Sequence, residues 1–340
     1  MSELIPDAGR ERKLLEIRAQ AAREGKIDGG GIRVSGAPFP IASPDTGYYG
    51  IPLLKEPSWT WEVPLYFFVG GAAASAAIVG SVAHYTGASR KLVRDARWIA
   101  VAGSVLSPPL LIADLGRPER FINMLRVFKP QSPMSVGSWV LAGFSGGAAA
   151  AAFADLVQEK YGASLPMRIL ENAGQMASLA FGLPFSNYTG VLIGATAIPT
   201  WNEHAGELPV HFGISGLSAA VGLLELMGNH KSRALQALGL GAAAFECYEG
   251  WRIESQQTQA NRPLKYGMSG GIVRAGGALS GPVPLALRTL SILTDSRKLR
   301  RAASISAVAG SLLTRIGWIV AGHASARDWR APLEIHGTTQ

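Results

Sequence analysis

The stretch DLGRPERFINMLRVFKPQSPMSVGSW, residues 114–139, sits between two long apolar runs. It carries four basic residues, two acids and three prolines. A plain connector between membrane helices needs neither that charge nor that rigidity. The run before it includes WIAVAGSVLSPPLLIA, and the run after it extends from Ser135 to Val157. Each is near the ~20 residues that carry a helix across a bilayer. The fold is read outward from what this loop separates.

The same pattern recurs along the chain. Of 340 residues, 48% are hydrophobic and only 16% charged. Mean hydropathy is a modest +0.18, because a polar N-terminal segment is averaged with a far more apolar remainder. From Glu62 onward, apolar runs of spanning length succeed one another, which places the chain among polytopic membrane proteins. The expected class is all-α, with eight transmembrane helices. The predicted spans are 62–86, 95–113, 135–157, 167–201, 210–227, 234–253, about 271–293, and 302–323. The second is kinked by Ser107-Pro108-Pro109. The fourth reads as one long tilted helix with Pro184 inside. The seventh holds Arg274, many glycines and two prolines, so a break is expected there. Small residues, among them Gly70, Gly71, Ala74, Gly143, Gly146 and Gly147, fit close helix contact.

Outside the membrane domain, 59–324, lie an N-terminal arm, 1–58, and a C-terminal tail, 325–340. The arm begins with a short charged helix, 10–25, and has no apolar core of signal-peptide length. Its Gly- and Pro-rich remainder carries Tyr48, Tyr49, Ile51, Leu53 and Leu54, which suit a docked extended chain better than a solvated linker. Eight spans put both termini on one side, here called the terminal side. The opposite loops hold Arg90, Lys91, Arg94 and Arg97, then Lys160 and Arg168, Lys231 and Arg233, and Arg297, Lys298, Arg300 and Arg301. By the positive-inside rule these clusters are cytoplasmic and the termini exoplasmic, in a bacterial-type inner membrane. The single cysteine, Cys247, excludes a disulfide framework and any cysteine-ligated cluster or zinc site held by this chain alone.

Asp114 follows the double proline, whose freed carbonyls are tolerable only beside protein or a water-filled cavity. An acid there marks the edge of a polar pocket. Arg117, Glu119 and Arg120 can pair with it or with one another, so the loop is read either as a pocket rim or as a salt-bridge knot.

The loop resembles the signature of the polysulfide reductase membrane-subunit (NrfD/PsrC) family. WTWEVPLYFFVGG at the head of the first span and YTGVLIGATAIPTW, residues 188–201, resemble two further motifs of that family, in the same order. The resemblance extends from about Trp59 to His323. It implies a membrane anchor with two four-helix bundles and no haem or metal of its own. It further implies a quinone or quinol pocket near the side where an iron–sulfur partner docks. Carried onto this sequence, that pocket lies near the head of the first span, the Asp114 loop and Tyr188, with Glu62 and Tyr66 the nearest polar candidates. The expected partners are a ferredoxin-like iron–sulfur subunit, a larger redox catalytic subunit and membrane lipid, with no nucleic acid.

The residues themselves agree on placement. Tyr188 lies in the terminal-side half of its span, flanked by Asn187 and Thr189. Its phenol can donate to a quinone carbonyl, or belong to the interfacial aromatic belt. His211 starts the fifth span on the same side and can accept a quinol proton, or serve as a hydrogen-bonded structural histidine. Below it, His211, Ser215, Ser218, Gly222 and Glu225 share one helix face. Glu171, Gln175, Ser178 and Gly182 do the same, as do Ser81 with His84 and Glu246 with Glu249. His84, Glu171, Glu225, Glu246 and Glu249 therefore read as a proton path from the basic clusters to the pocket, or as interhelical hydrogen-bond glue. A haem anchor needs paired histidines on facing helices. His211 with His323 and His84 with His230 do not make a two-haem pattern. A solute or ion transporter built on the broken seventh span is the functional alternative, and a purely structural anchor the third.

Overall fold

The computed structural model describes residues 54–115 and 121–328, together with Glu16 and Ala19. Among these the structure is helical, with no strand. In chain order the helices are α1 (Glu62–Tyr85), α2 (Arg90–Asp114), α3 (Phe121–Arg126), α4 (Pro133–Tyr161), α5 (Leu165–Gly194) and α6 (Pro199–Glu203). There follow α7 (Leu208–Leu224, continued by a π turn over Glu225–Asn229), α8 (Arg233–Ser255) and α9 (Arg262–Lys265). The last are α10 (Gly267–Ser280), α11 (Pro282–Thr294) and α12 (Arg297–Arg327). The arm residues Tyr48, Tyr49, Ile51 and Leu53 and the loop residues Arg117, Glu119 and Arg120 lie outside the described residues.

Four long helices start on a serine N-cap. Ser89, Ser132, Ser232 and Ser296 each accept from the backbone N–H three residues on, at the heads of α2, α4, α8 and α12. Such a side chain satisfies one of the amides that a helix start leaves without a partner. α2 continues through Pro108 and Pro109 to Asp114.

Six helices are long and apolar enough to cross a membrane: α1, α2, α4, α5, α7 with its π turn, and α12. α8 and the α10–α11 pair fall outside that group. The seventh expected span is broken at Gly281 (φ −105°, ψ −94°), after which Pro282 begins α11. A Cβ at Gly281 would lie 3.1 Å from the backbone N of Cys247, so the break lies hard against α8. The fourth expected span needs correction. Its helix ends at Gly194 rather than Trp201, and α6 is separate. Pro199 cannot continue a helix, and it holds Ile198 extended (φ −72°, ψ 122°).

α1 packs on α2, α5 and α7, and α4 packs on α5 and α2. α7 packs on α8 and α12, while α12 also receives α10 and α11. The main core runs through Phe67, Phe144, Phe185, Phe212, Trp201 and Trp318, and a second core of Val79, Leu92, Val221, Leu224 and Leu235 lies toward the basic-cluster end. Val105, Leu106, Phe153, Ile169 and Leu293 face outward, which suits a molecule bathed in hydrocarbon.

α4 and α5 approach closely because glycine stands at the crossing. A Cβ on Gly147 would lie 2.6 Å from the backbone N of Ser178, whereas one on Gly146 would meet nothing within 4 Å. Gly147→Leu should therefore force the two helices apart and cost about 1–3 kcal/mol, seen as a lower unfolding midpoint in detergent. Gly146→Leu should leave the midpoint unchanged, and equal losses in the two variants would contradict this packing.

Candidate functional site

At the terminal end of α1, α2 and α5, the sequence brings four expected residues together. A cavity of about 10 Å³ is lined by Trp59, Tyr66, Leu110, Leu111, Asp114 and Met134, among others. Asp114 is half-buried on the last turn of α2, and the charge of Glu62 acts on it. Thr60 donates from its hydroxyl to the Glu62 carboxylate. Tyr66 is 2% exposed. The Tyr188 hydroxyl donates to the Pro133 carbonyl at 2.5 Å. Its ring lies over Gly137, where a Cβ would come within 2.0 Å of Tyr188 Cζ. The loaded loop thus meets α5 through the backbone of Pro133. Trp59, which lines the cavity, stacks on Trp201 with centroids 5.2 Å apart. Arg126 and Lys129 are exposed beside it.

His211 does not line this cavity. It is buried among α7, α8 and α12, with Nδ1 3.9 Å from Glu246 Oε2. Neither of its ring nitrogens has a hydrogen-bond partner.

The five path candidates fall into separate clusters. On the basic-cluster side, Arg97 reaches Glu171 at 2.7 Å, Asp155 at 3.4 Å and Gln175 at 2.8 Å. His84 Nδ1 is 3.5 Å from the same guanidinium, and this group lines a polar depression of about 630 Å³. In the second half, Glu225 pairs with Arg288 at 2.7 Å and accepts from Ser304 at 2.6 Å. Farther along, Ser215, Ser311 and Arg315 are mutually hydrogen-bonded. Glu246 accepts from Ser280 at 3.1 Å, and Glu249 from Arg252 at 3.2 Å. Four of the five residues in the His211 stripe face α12 or the charged pair at its edge: Ser215, Gly222 and Glu225 make those contacts directly, and buried Ser218 lies between them.

The family model described as polysulphide reductase, NrfD, matches residues 53–234, more than half of the chain. This chain belongs to the NrfD family. No curated protein sequence matches it. With six apolar helices of spanning length, this NrfD protein is an integral membrane protein. The match covers α1–α7 and stops at the start of α8, short of the His323 limit expected from the sequence resemblance.

Several residues of this NrfD chain escaped sequence reasoning. Arg97 and Arg300 had been grouped with loop charges, yet both are buried. Arg288 and Arg315 are buried too, Arg315 completely. Their signal was available: an arginine deep in an apolar helix implies an acid or polar partner. His204 was also missed, although it joins Glu207 at 3.0 Å and Asn261 at 2.6 Å. Arg252 grips both oxygens of Glu207.

Two carboxylates outside the spans tie the terminal face together. Burial pushes the Glu56 carboxyl up, yet hydrogen bonds from Arg327 and His323 outweigh it and hold it below the usual range. His323 also bonds the Trp59 carbonyl, so the segment before α1 is fastened to the end of α12. Burial likewise pushes Glu207 up, and Arg252 and His204 more than reverse it. A lowered carboxyl contributes stability that is complete above its unfolded value, about pH 4.3 for Glu, and is lost as pH falls through the folded value. The unfolding midpoint should therefore be flat above about pH 5 and fall in acid, with a shallower fall in Glu207→Gln. An acid limb unaltered by that substitution would remove Glu207 from the account. Separately, His323→Phe should speed tryptic cleavage after exposed Lys55 about tenfold, as loss of a hydrogen bond worth about 1.4 kcal/mol would.

Proposed function

We propose that this chain is the quinone- or quinol-reactive membrane subunit of a respiratory oxidoreductase. It exchanges electrons with an iron–sulfur partner attached to a larger catalytic subunit. The observation that carries the reading is the meeting of Tyr66 and Asp114 in one cavity at one end of the NrfD-matched helices, with the Tyr188 hydroxyl bonded to Pro133, next to cavity-lining Met134. A phenol and a carboxyl are the groups needed to bind a quinone oxygen and exchange its proton. The cavity has room for about one water, so a quinone ring enters as Leu110, Leu111 and Met134 move aside. Tyr188 then exchanges its bond to Pro133 for one to the ring.

The architecture in this proposal has eight crossings, with α8 and the α10–α11 pair completing the six. α1, α2, α4 and α5 form one bundle and α7, α8, α10–α11 and α12 the other. α4 packs on α5 and α2, and α12 on α10, α11 and α7, while α7 also packs on α1 and α5 across the two bundles. Exposed Arg126 and Lys129 beside the cavity suit a docking platform for the partner, on an exoplasmic face of the inner membrane. Proton exchange with the basic-cluster side runs along the polar groups from Glu225 through Ser215 and Ser311 to Glu246 and Glu249. The Arg97 depression, with His84 and Glu171, is a separate water-accessible entrance in the other half. The break at Gly281, next to the Arg288–Glu225 pair, is the feature that favours a transporter instead. A transporter would be stable and active without an iron–sulfur subunit.

Tyr188→Phe removes one hydroxyl and keeps the ring. Quinone-linked turnover of the purified complex should fall about tenfold, the effect of one lost hydrogen bond of about 1.4 kcal/mol. Reduction of a soluble dye by the partner should be unchanged. Asp114→Asn should act in the same direction with the complex still assembled. Wild-type quinone kinetics in Tyr188→Phe would remove that residue from the site, and failure to assemble in Asp114→Asn would make Asp114 a structural group.

A further inference from the structure

A second cleft, of about 410 Å³, opens between α8 and α10, and apart from His211 its lining lies beyond the NrfD match. Its walls are apolar, with Ile253, Leu264, Val273 and Ala278 along them. Its inner end is polar and holds His211, Glu246 and Thr314 beneath the ring of Trp318. Both nitrogens of His211, Oε1 of Glu246 and Oγ1 of Thr314 are buried without a hydrogen-bond partner. Nearly all buried polar atoms in folded proteins are satisfied, so four orphans around one space call for an occupant. The 3.9 Å between His211 and Glu246 is too long for a direct bond, which leaves both groups turned to that space.

The cleft exists because side chains are missing from it. A Cβ on Gly250 or on Gly277 would meet nothing within 4 Å, and both glycines line the opening. The volume lies in the range of ligand pockets, which combine apolar walls with a few convergent polar groups. At the outer rim, Glu254 and Arg274 pair with each other at 2.6 Å, so neither offers a free charge. At the inner end, Glu246 repels an anionic head. Arg315, the nearby cation, is wholly buried and engaged by Ser215, Ser311 and the Phe212 carbonyl. A phosphate-bearing lipid head therefore finds no partner here.

We propose that this cleft binds a neutral amphiphile. Its ring head carries hydroxyl groups that donate to Glu246 and accept from the His211 N–H and the Thr314 hydroxyl, and its hydrocarbon tail leaves past Gly250, Trp251 and Ala278. Quinols are the class with that shape, and this choice of class alone rests on the quinone-reactive reading. The site is distinct from the Tyr66–Asp114 cavity, with which it shares no lining residue. It opens a polar column that is otherwise closed within the second half.

The chain's sole cysteine, Cys247, lines the cleft and is partly accessible. Full-length protein in lipid nanodiscs is treated with a membrane-permeant maleimide, and the adduct is followed by intact mass. Decylubiquinol should slow labelling of the wild type about tenfold, as occupancy near 90% would. Decylbenzene, which has the tail without ring oxygens, should slow it little. His211→Phe should lose the protection, and Gly250→Phe should slow labelling with no ligand present by filling the space. Tyr188→Phe should keep full protection. Equal protection by decylbenzene would show that the polar end does not read the head, and would overturn the proposal. So would unprotected wild type, or protection lost in Tyr188→Phe and retained in His211→Phe. If Cys247 resists labelling without ligand, equilibrium binding of decylubiquinol decides: a saturable site lost in Gly250→Phe upholds the cleft, and unchanged binding rejects it. Protection that survives beside turnover insensitive to Tyr188→Phe would reject the first cavity alone, so the two readings fail separately.

Discussion

The Arg288–Glu225 ion pair lies almost wholly inside the molecule, with both side chains at or below 3% exposure. A charge left alone in such surroundings carries a desolvation cost that few folds tolerate. The same solution recurs. Arg97 of α2 meets Glu171 of α5 and Asp155 of α4, and Arg252 of α8 meets Glu207 before α7. Arg315 is lodged among serines and carbonyls, within electrostatic reach of Glu246. In each of these direct pairs the partners come from different elements, so pairing fixes which helices adjoin and at what height. The Arg288 guanidinium also lies across Gly239 of α8, where a Cβ would come within 2.4 Å of it. The break at Gly281 lets α11 take its own direction, and it is α11 that delivers Arg288 to Glu225.

This constraint divides the molecule. The first half, outside the Arg97 cluster, closes on aromatic rings, and its terminal-end cavity is small and walled by Trp59 and Tyr66. The second half keeps polar groups at successive heights along α7 and α12. A polar interior in an apolar solvent has to be either satisfied or occupied. Around His211, four unsatisfied atoms of three residues line one open space. That imbalance is why the cleft beside α10, rather than the tighter cavity at Tyr188, offers ready space for a ligand.

The helices were legible because membrane-spanning segments announce themselves by length, and because serine caps and prolines punctuate them. The break in the seventh span was visible as glycine and proline around residue 281. The run to Trp201 stays apolar with no charged turn in it, so the end of α5 at Gly194 was not legible. The terminal-end cluster of Tyr66, Asp114 and Tyr188 was legible from motif order. His211 was grouped with it because both lie at the terminal ends of helices. Depth along a helix is readable from sequence, but which neighbour a face meets is not. The buried arginines went unremarked for a similar reason: near the ends of apolar runs they looked like loop charges, and only the packing shows Arg97 and Arg300 turned inward.

The central claim is that cross-helix pairing of buried charge holds this arrangement together. A double-mutant cycle on Glu225→Gln and Arg288→Met, read as unfolding free energy in bicelles, tests it directly. Each single change strands the other group, and should cost about 3–5 kcal/mol. The double variant removes both polar liabilities and should recover most of that loss, which gives a large favourable coupling. Additive losses, with the double variant as unstable as the two singles summed, would contradict the account.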